Sequence, residues 1–180
     1  MHPKATREPA PIVIPHLPCR SLARILPAIA ASLLMLTACS GPDFQDGLKA
    51  YQSGDYGRAA KIWKHLAHGG NRLAERQLGN MYRAGLGVEQ DPQKALHWQR
   101  KAAEAGDPQA YADVAFLYQS GALGPPQLRK AYQWYSLAAD ALPPGPKRRE
   151  AVRNRDELSA RLTPGEQKAA GRWLAKHRGD

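Results

Sequence analysis

This sequence predicts an all-α fold: a short solenoid of about three helix-turn-helix repeats, closed by two C-terminal helices. Three observations carry that expectation. The stretch from Ala74 to Gly106, AERQLGNMYRAGLGVEQDPQKALHWQRKAAEAG, returns 36 residues later. Ala74 pairs with Ala110, Leu78 with Val114, Tyr82 with Tyr118, Gly85 with Gly121, Lys94 with Lys130, Ala95 with Ala131, Trp98 with Trp134 and Ala102 with Ala138. A fixed period of this size marks a helical repeat. Within each unit the apolar residues recur at steps of three and four, which places them on one helical face. Glycine and Asp-Pro punctuate the units where helices must stop and restart.

In chain order, residues 1–38 read as an export signal. Lys4, Arg7, Arg20 and Arg24 form a basic, proline-rich leader, and Leu22 to Leu36 is an apolar run interrupted by Pro27 and too short to span a bilayer comfortably. It ends Leu36-Thr37-Ala38-Cys39, which resembles a bacterial lipobox. The resemblance implies cleavage before Cys39, lipidation of that residue, and anchoring of the new N-terminus by several acyl chains. Ser40 in the next position fits the sorting pattern for the outer membrane, with the domain expected to face the periplasm. Cys19 lies in the removed leader, so the mature chain has one cysteine and no disulfide scaffold. The alternative is an ordinary signal peptide and a soluble secreted product. Residues 39–43 are a short tether.

Residues 44–70 form a first, shorter unit. Its second helix keeps the 36-residue offset: Arg58-Ala59 pair with Lys94-Ala95, Ile62 with Trp98, Ala67 with Ala103 and Gly70 with Gly106. Its first helix aligns at 31 instead, Tyr51 with Tyr82 and Gly54 with Gly85, so the turn has lost five residues. Divergent terminal units are expected where one face has no neighbour.

In the second unit, residues 71–106, Ala74, Leu78, Met81 and Tyr82 line the first helix, and Gly85 and Gly87 end it. Asp91 caps the second helix with Pro92 at its first position, and Ala95, Trp98, Ala102 and Ala103 form its apolar stripe. Asp107-Pro108 opens the third unit, residues 107–142, in the same way. There Asp91 is replaced by Gln127, after Gly124-Pro125-Pro126, and the two prolines are expected to start the helix. The residues Ala74, Leu78, Gly79, Tyr82, Gly85, Gly87, Val88, Asp91, Lys94, Ala95, Trp98, Lys101, Ala102, Ala103, Glu104 and Gly106 together resemble the Sel-one-like repeat, a relative of the tetratricopeptide repeat. The resemblance covers roughly residues 44–140. It implies a right-handed α/α superhelix that binds proteins on a concave surface lined mainly by the first helix of each unit.

Residues 143–180 read as a basic two-helix cap. Pro143-Pro144-Gly145-Pro146 breaks the chain; Lys147 to Leu162 then carries Ala151, Leu158 and Leu162 on one face. Thr163-Pro164-Gly165-Glu166 is a capping box ahead of Ala169, Ala170, Trp173 and Leu174. The net charge is +10 over the chain and +7 after the leader is removed, because four basic residues and one acidic residue precede Cys39. The cap holds +5 of that, with Lys147, Arg148, Arg149, Arg153 and Arg155 on one helix. Three readings of this patch stand open: a solvated helix face, contact with anionic lipid or cell-wall polymer, and nucleic acid. The last is disfavoured because the cations are not interleaved with stacking aromatics.

Chemistry is sparse. His65 and His68 share a helix face without a third ligand at metal spacing, His97 sits on the charged side of its helix, and Asp55, Asp91 and Asp107 are used in turns and caps. No nucleophile motif or phosphate loop occurs, so no catalytic residue, metal or cofactor is expected. Trp63, Trp98, Trp134 and Trp173 all lie on apolar faces and read as core. The candidate partner contacts are Gln77, Asn80 and Arg83 in the second unit and Asp113, Phe116 and Gln119 in the third, with Phe116 as aromatic anchor. The expected function is a non-enzymatic, lipid-anchored protein–protein adaptor in the bacterial envelope. A cell-wall (peptidoglycan) or anionic-polymer binder, or a wall-active enzyme, is the alternative.

Overall fold

The computed structural model describes residues 41–178, and among these every regular element is a helix. They are α1 (Phe44–Gln52), α2 (Tyr56–His68), α3 (Arg72–Ala84), α4 (Pro92–Glu104), α5 (Pro108–Gln119), α6 (Leu128–Ala141), α7 (Pro146–Arg161) and α8 (Pro164–His177). Pairs α1–α2, α3–α4 and α5–α6 are the repeat units and α7–α8 the cap. Each helix from α1 to α6 packs on the next, and α8 returns to pack on α6. The fold is a short α/α solenoid. None of these helices is long and apolar enough to cross a membrane. The expected leader and the lipidation site Cys39 lie outside the described residues.

Side-chain caps fix most helix starts. Asp43 and Asp46 form a reciprocal capping box on α1, and Thr163 and Glu166 form another on α8. Asp55, Asn71, Asp91 and Asp107 each accept a backbone N–H in the first turn of α2, α3, α4 and α5. The third unit departs from expectation. Its second helix starts at Leu128, so Pro125 and Pro126 stay in the loop and do not open it. Gln127 supplies no side-chain cap. Its N–H donates to the Tyr118 carbonyl at 2.8 Å, as Asp91 N–H donates to Tyr82 at 2.9 Å in the unit before. That backbone bond, not the aspartate, preserves the turn. The first cap helix likewise begins one residue early, because Pro146 takes its first position.

The core is built from small residues at crossings and large ones between layers. Ala59, Ala95 and Ala131, one register position in three units, have no exposed surface, and neither do Ala74 and Ala110. A second register position points each second helix into the first helix of its own pair: Trp63, Gln99 and Tyr135, 36 residues apart and at most 4% exposed. A Cβ at Gly47 would run into the Trp63 indole, and one at Gly79 would lie 2.9 Å from the Gln99 side chain. The tryptophans divide: Trp63 and Trp98 are buried, whereas Trp134 and Trp173 are half-buried. Trp134 packs on Ala102, Ala103 and Ala110 and meets the rings of Tyr111 and Trp173, and it stays partly open to the groove beside them.

Candidate functional site

Residues seven apart on a helix lie two turns apart on one face. Three such rows, on α3, α5 and α7, converge on one cavity of about 330 Å³. Arg76 and Arg83 come from α3; Gln109, Ala112, Asp113 and Phe116 from α5; Lys147, Glu150, Ala151 and Asn154 from α7. Tyr135 and Leu142 complete the lining from α6 and its end. The cap helix α7 thus occupies the place of a fourth first helix.

Asp113 lies at the centre. Its Oδ2 is buried and without a hydrogen-bond partner among the described residues. Burial pushes its carboxyl up to about 6, and Asp107 acts in the same direction, while Arg76, Arg83 and Lys147 pull it down. None of these cations ion-pairs with Asp113. Arg76 Nε donates to Asp107 Oδ2 at 2.8 Å, and Lys147 Nζ donates to Gln109 Oε1 at 2.6 Å. The Arg83 guanidinium lies 5.4 Å from the centroid of the Phe116 ring, which is 46% exposed. The cavity therefore offers an open aromatic ring, donors from Arg83 and Lys147, and a carboxyl group that burial raises to about 6. Burial also raises Tyr135.

Of the six residues expected to contact a partner, Arg83, Asp113 and Phe116 line this cavity. Gln77, Asn80 and Gln119 do not. Asn80 Oδ1 instead accepts from Gln99 Nε2 at 2.9 Å and braces α3 against α4. The expectation placed equivalent residues 36 apart on one surface, but neighbouring first helices meet Arg76 and Arg83 against Asp113 and Phe116. Arg76, Gln109, Tyr135, Glu150 and Asn154 were missed; the seven-residue rows that hold most of them are visible in the sequence. The basic tract is split. Lys147 enters the cavity, Arg153 and Arg155 pair with Glu157 and Asp156 on their own helix, and Arg148 and Arg149 have no ion pair among the described residues. His68 meets Trp98 edge-on at 5.2 Å. No cluster of three potential metal ligands occurs among the described residues.

Residues 72–107 and 108–141 match the Sel1 repeat family model. These two segments are thus similar to the Sel1 repeat. A protective antigen of uropathogenic Escherichia coli with an SLR fold superposes with a TM-score of 0.66 at 24% identity, over 74% of this chain and 28% of that one. A Sel1 repeat protein from Oxalobacter formigenes superposes with a TM-score of 0.50 at 28% identity, over 54% of this chain and 40% of its own. The chain thus spans less than half the length of either. A comparison with curated proteins finds no significant match.

Proposed function

We propose, from the premise of two segments similar to the Sel1 repeat on a helical solenoid, that this protein is a non-enzymatic, lipid-anchored scaffold of the bacterial envelope. It would hold another protein on the face formed by α3, α5 and α7. The observation that carries this reading is the convergence of three helix rows on one cavity with Phe116 exposed at its edge. An exposed ring beside Arg83 is the kind of anchor that dominates protein interfaces. The anchoring and envelope parts rest on the residues that lead into Cys39.

The test places a photo-crosslinking amino acid at Phe116 in the full chain and in its Cys39→Ser form, with membrane fractionation of both. A membrane-bound native form that crosslinks one defined envelope protein, with loss of both properties in the serine form, supports the reading. Two soluble forms that retain only cell-wall fragments overturn it in favour of a wall-polymer binder.

A further inference from the structure

A groove of about 550 Å³ runs between α4, α6 and α8, built from the other helix of each pair and separate from the cavity around Asp113. Trp134 and Trp173 line it with centroids 5.8 Å apart and planes tilted by 55°. Arg129 and Lys130 flank them, and neither has an ion pair among the described residues. The one carboxylate of the groove, Glu104, sits 3.5 Å from Arg100, so the surplus charge is positive. Gln133 lines the same groove at 7% exposure, and its side chain makes no hydrogen bond among the described residues. A primary amide offers two donors and an acceptor. Its polar atoms face the groove, where an extended backbone can exchange hydrogen bonds with them.

We infer that this groove docks an extended acidic segment of a protein partner. A peptide bond of the segment meets the Gln133 amide, its carboxylates face Arg129 and Lys130, and one apolar side chain lies against the groove face of the Trp134–Trp173 pair. Arginine suits carboxylates through its planar fork, and tryptophan with arginine is the usual composition of interface anchors.

The test is fluorescence polarisation of a labelled peptide, Glu-Glu-Leu-Glu-Glu-Phe-Glu-Glu, with the full chain in detergent and polygalacturonate as competitor. Saturable binding is expected, at least tenfold weaker in Arg129→Glu/Lys130→Glu and several-fold weaker in Gln133→Leu. Arg148→Glu/Arg149→Glu, which changes the same charge elsewhere, should bind as the native chain does. Circular dichroism checks folding, and Arg129→Gln/Lys130→Gln replaces the reversal if that variant unfolds. Absence of peptide binding, an equal loss in the Arg148/Arg149 control, or binding of polygalacturonate that the peptide does not displace would each overturn the proposal.

Discussion

Trp63 and Gln99 occupy one register position in successive pairs and fill it in opposite ways. Trp63 sits over Gly47, 1% exposed, with Phe44 and Tyr51 rings at 5.8 and 5.6 Å. Gln99 sits over Gly79, with no exposed surface, and donates to the Arg76 carbonyl at 3.3 Å and to Asn80 at 2.9 Å. Its Oε1 has no partner among the described residues. What these two pairs share is a gap at glycine and a side chain to fill it; the chemistry of the filler differs. In the first pair the filler is a large ring that contributes mainly apolar burial, with its Nε1 donating to the Phe44 carbonyl at 3.4 Å. In the second it is an amide that grips the stretch of α3 from which Arg76 and Arg83 project into the cavity.

That contrast can be broken at either end. Trp63→Ala should cost on the order of 3–5 kcal/mol, the usual range for deleting a buried ring, read as a lowered urea midpoint. A loss below 1 kcal/mol would remove Trp63 from the core of the first pair. Asp113 comes next. Its carboxyl is raised to about 6, so the folded protein binds this proton more tightly than the unfolded chain does. Its contribution is most favourable near pH 4 and declines as pH rises through 6. The span is about 2–3 kcal/mol at ~1.4 kcal/mol per unit. Asp46, Asp91 and Glu166 are lowered by backbone hydrogen bonds and lose stability in the opposite direction, toward acid. The informative quantity is therefore the difference between Asp113→Asn and the native chain. The variant should be the more stable at pH 7.5, with the advantage vanishing near pH 4; a pH-independent difference would place the carboxyl in water.

Smaller effects sharpen the comparison. Gly79→Ala presses a methyl onto Gln99. Overpacking of about 1–3 kcal/mol, offset by up to ~1 kcal/mol of helix propensity, should leave a net loss of about 1–2 kcal/mol in thermal unfolding. Gln99→Leu removes two hydrogen bonds and one unpartnered oxygen together, so stability should change by less than about 1 kcal/mol. Crosslinking through Phe116 should nevertheless weaken, because α3 loses its brace. An unchanged crosslink would reduce Gln99 to filler.

The sequence announced the pairs because 36-residue recurrence and cap chemistry are local signals. Asp55, Asp91 and Asp107 act within one turn and are visible without any neighbour, whereas the caps Asp43 and Asn71 were not read there. The cavity was only half legible. Phe116 and Asp113 stand out on α5, but which residues of α3 and α7 face them depends on how helices of different units cross, and that has no local signature. Trp134 misled for a related reason: it repeats Trp98, yet burial depends on the unit that follows, and no further repeat follows there.

Gly87 has a consequence for how the chain comes apart. At φ 68° it brings its backbone against that of Tyr56, closely enough that a Cβ there would overlap the Tyr56 carbonyl. The turn of the second pair is thereby hooked over the start of α2 in the first. In a linear stack the cost of opening one unit is set largely by its coupling to the next. This hook ties the short, divergent first pair to its neighbour, so α1 and α2 should melt together with the second pair and not ahead of it.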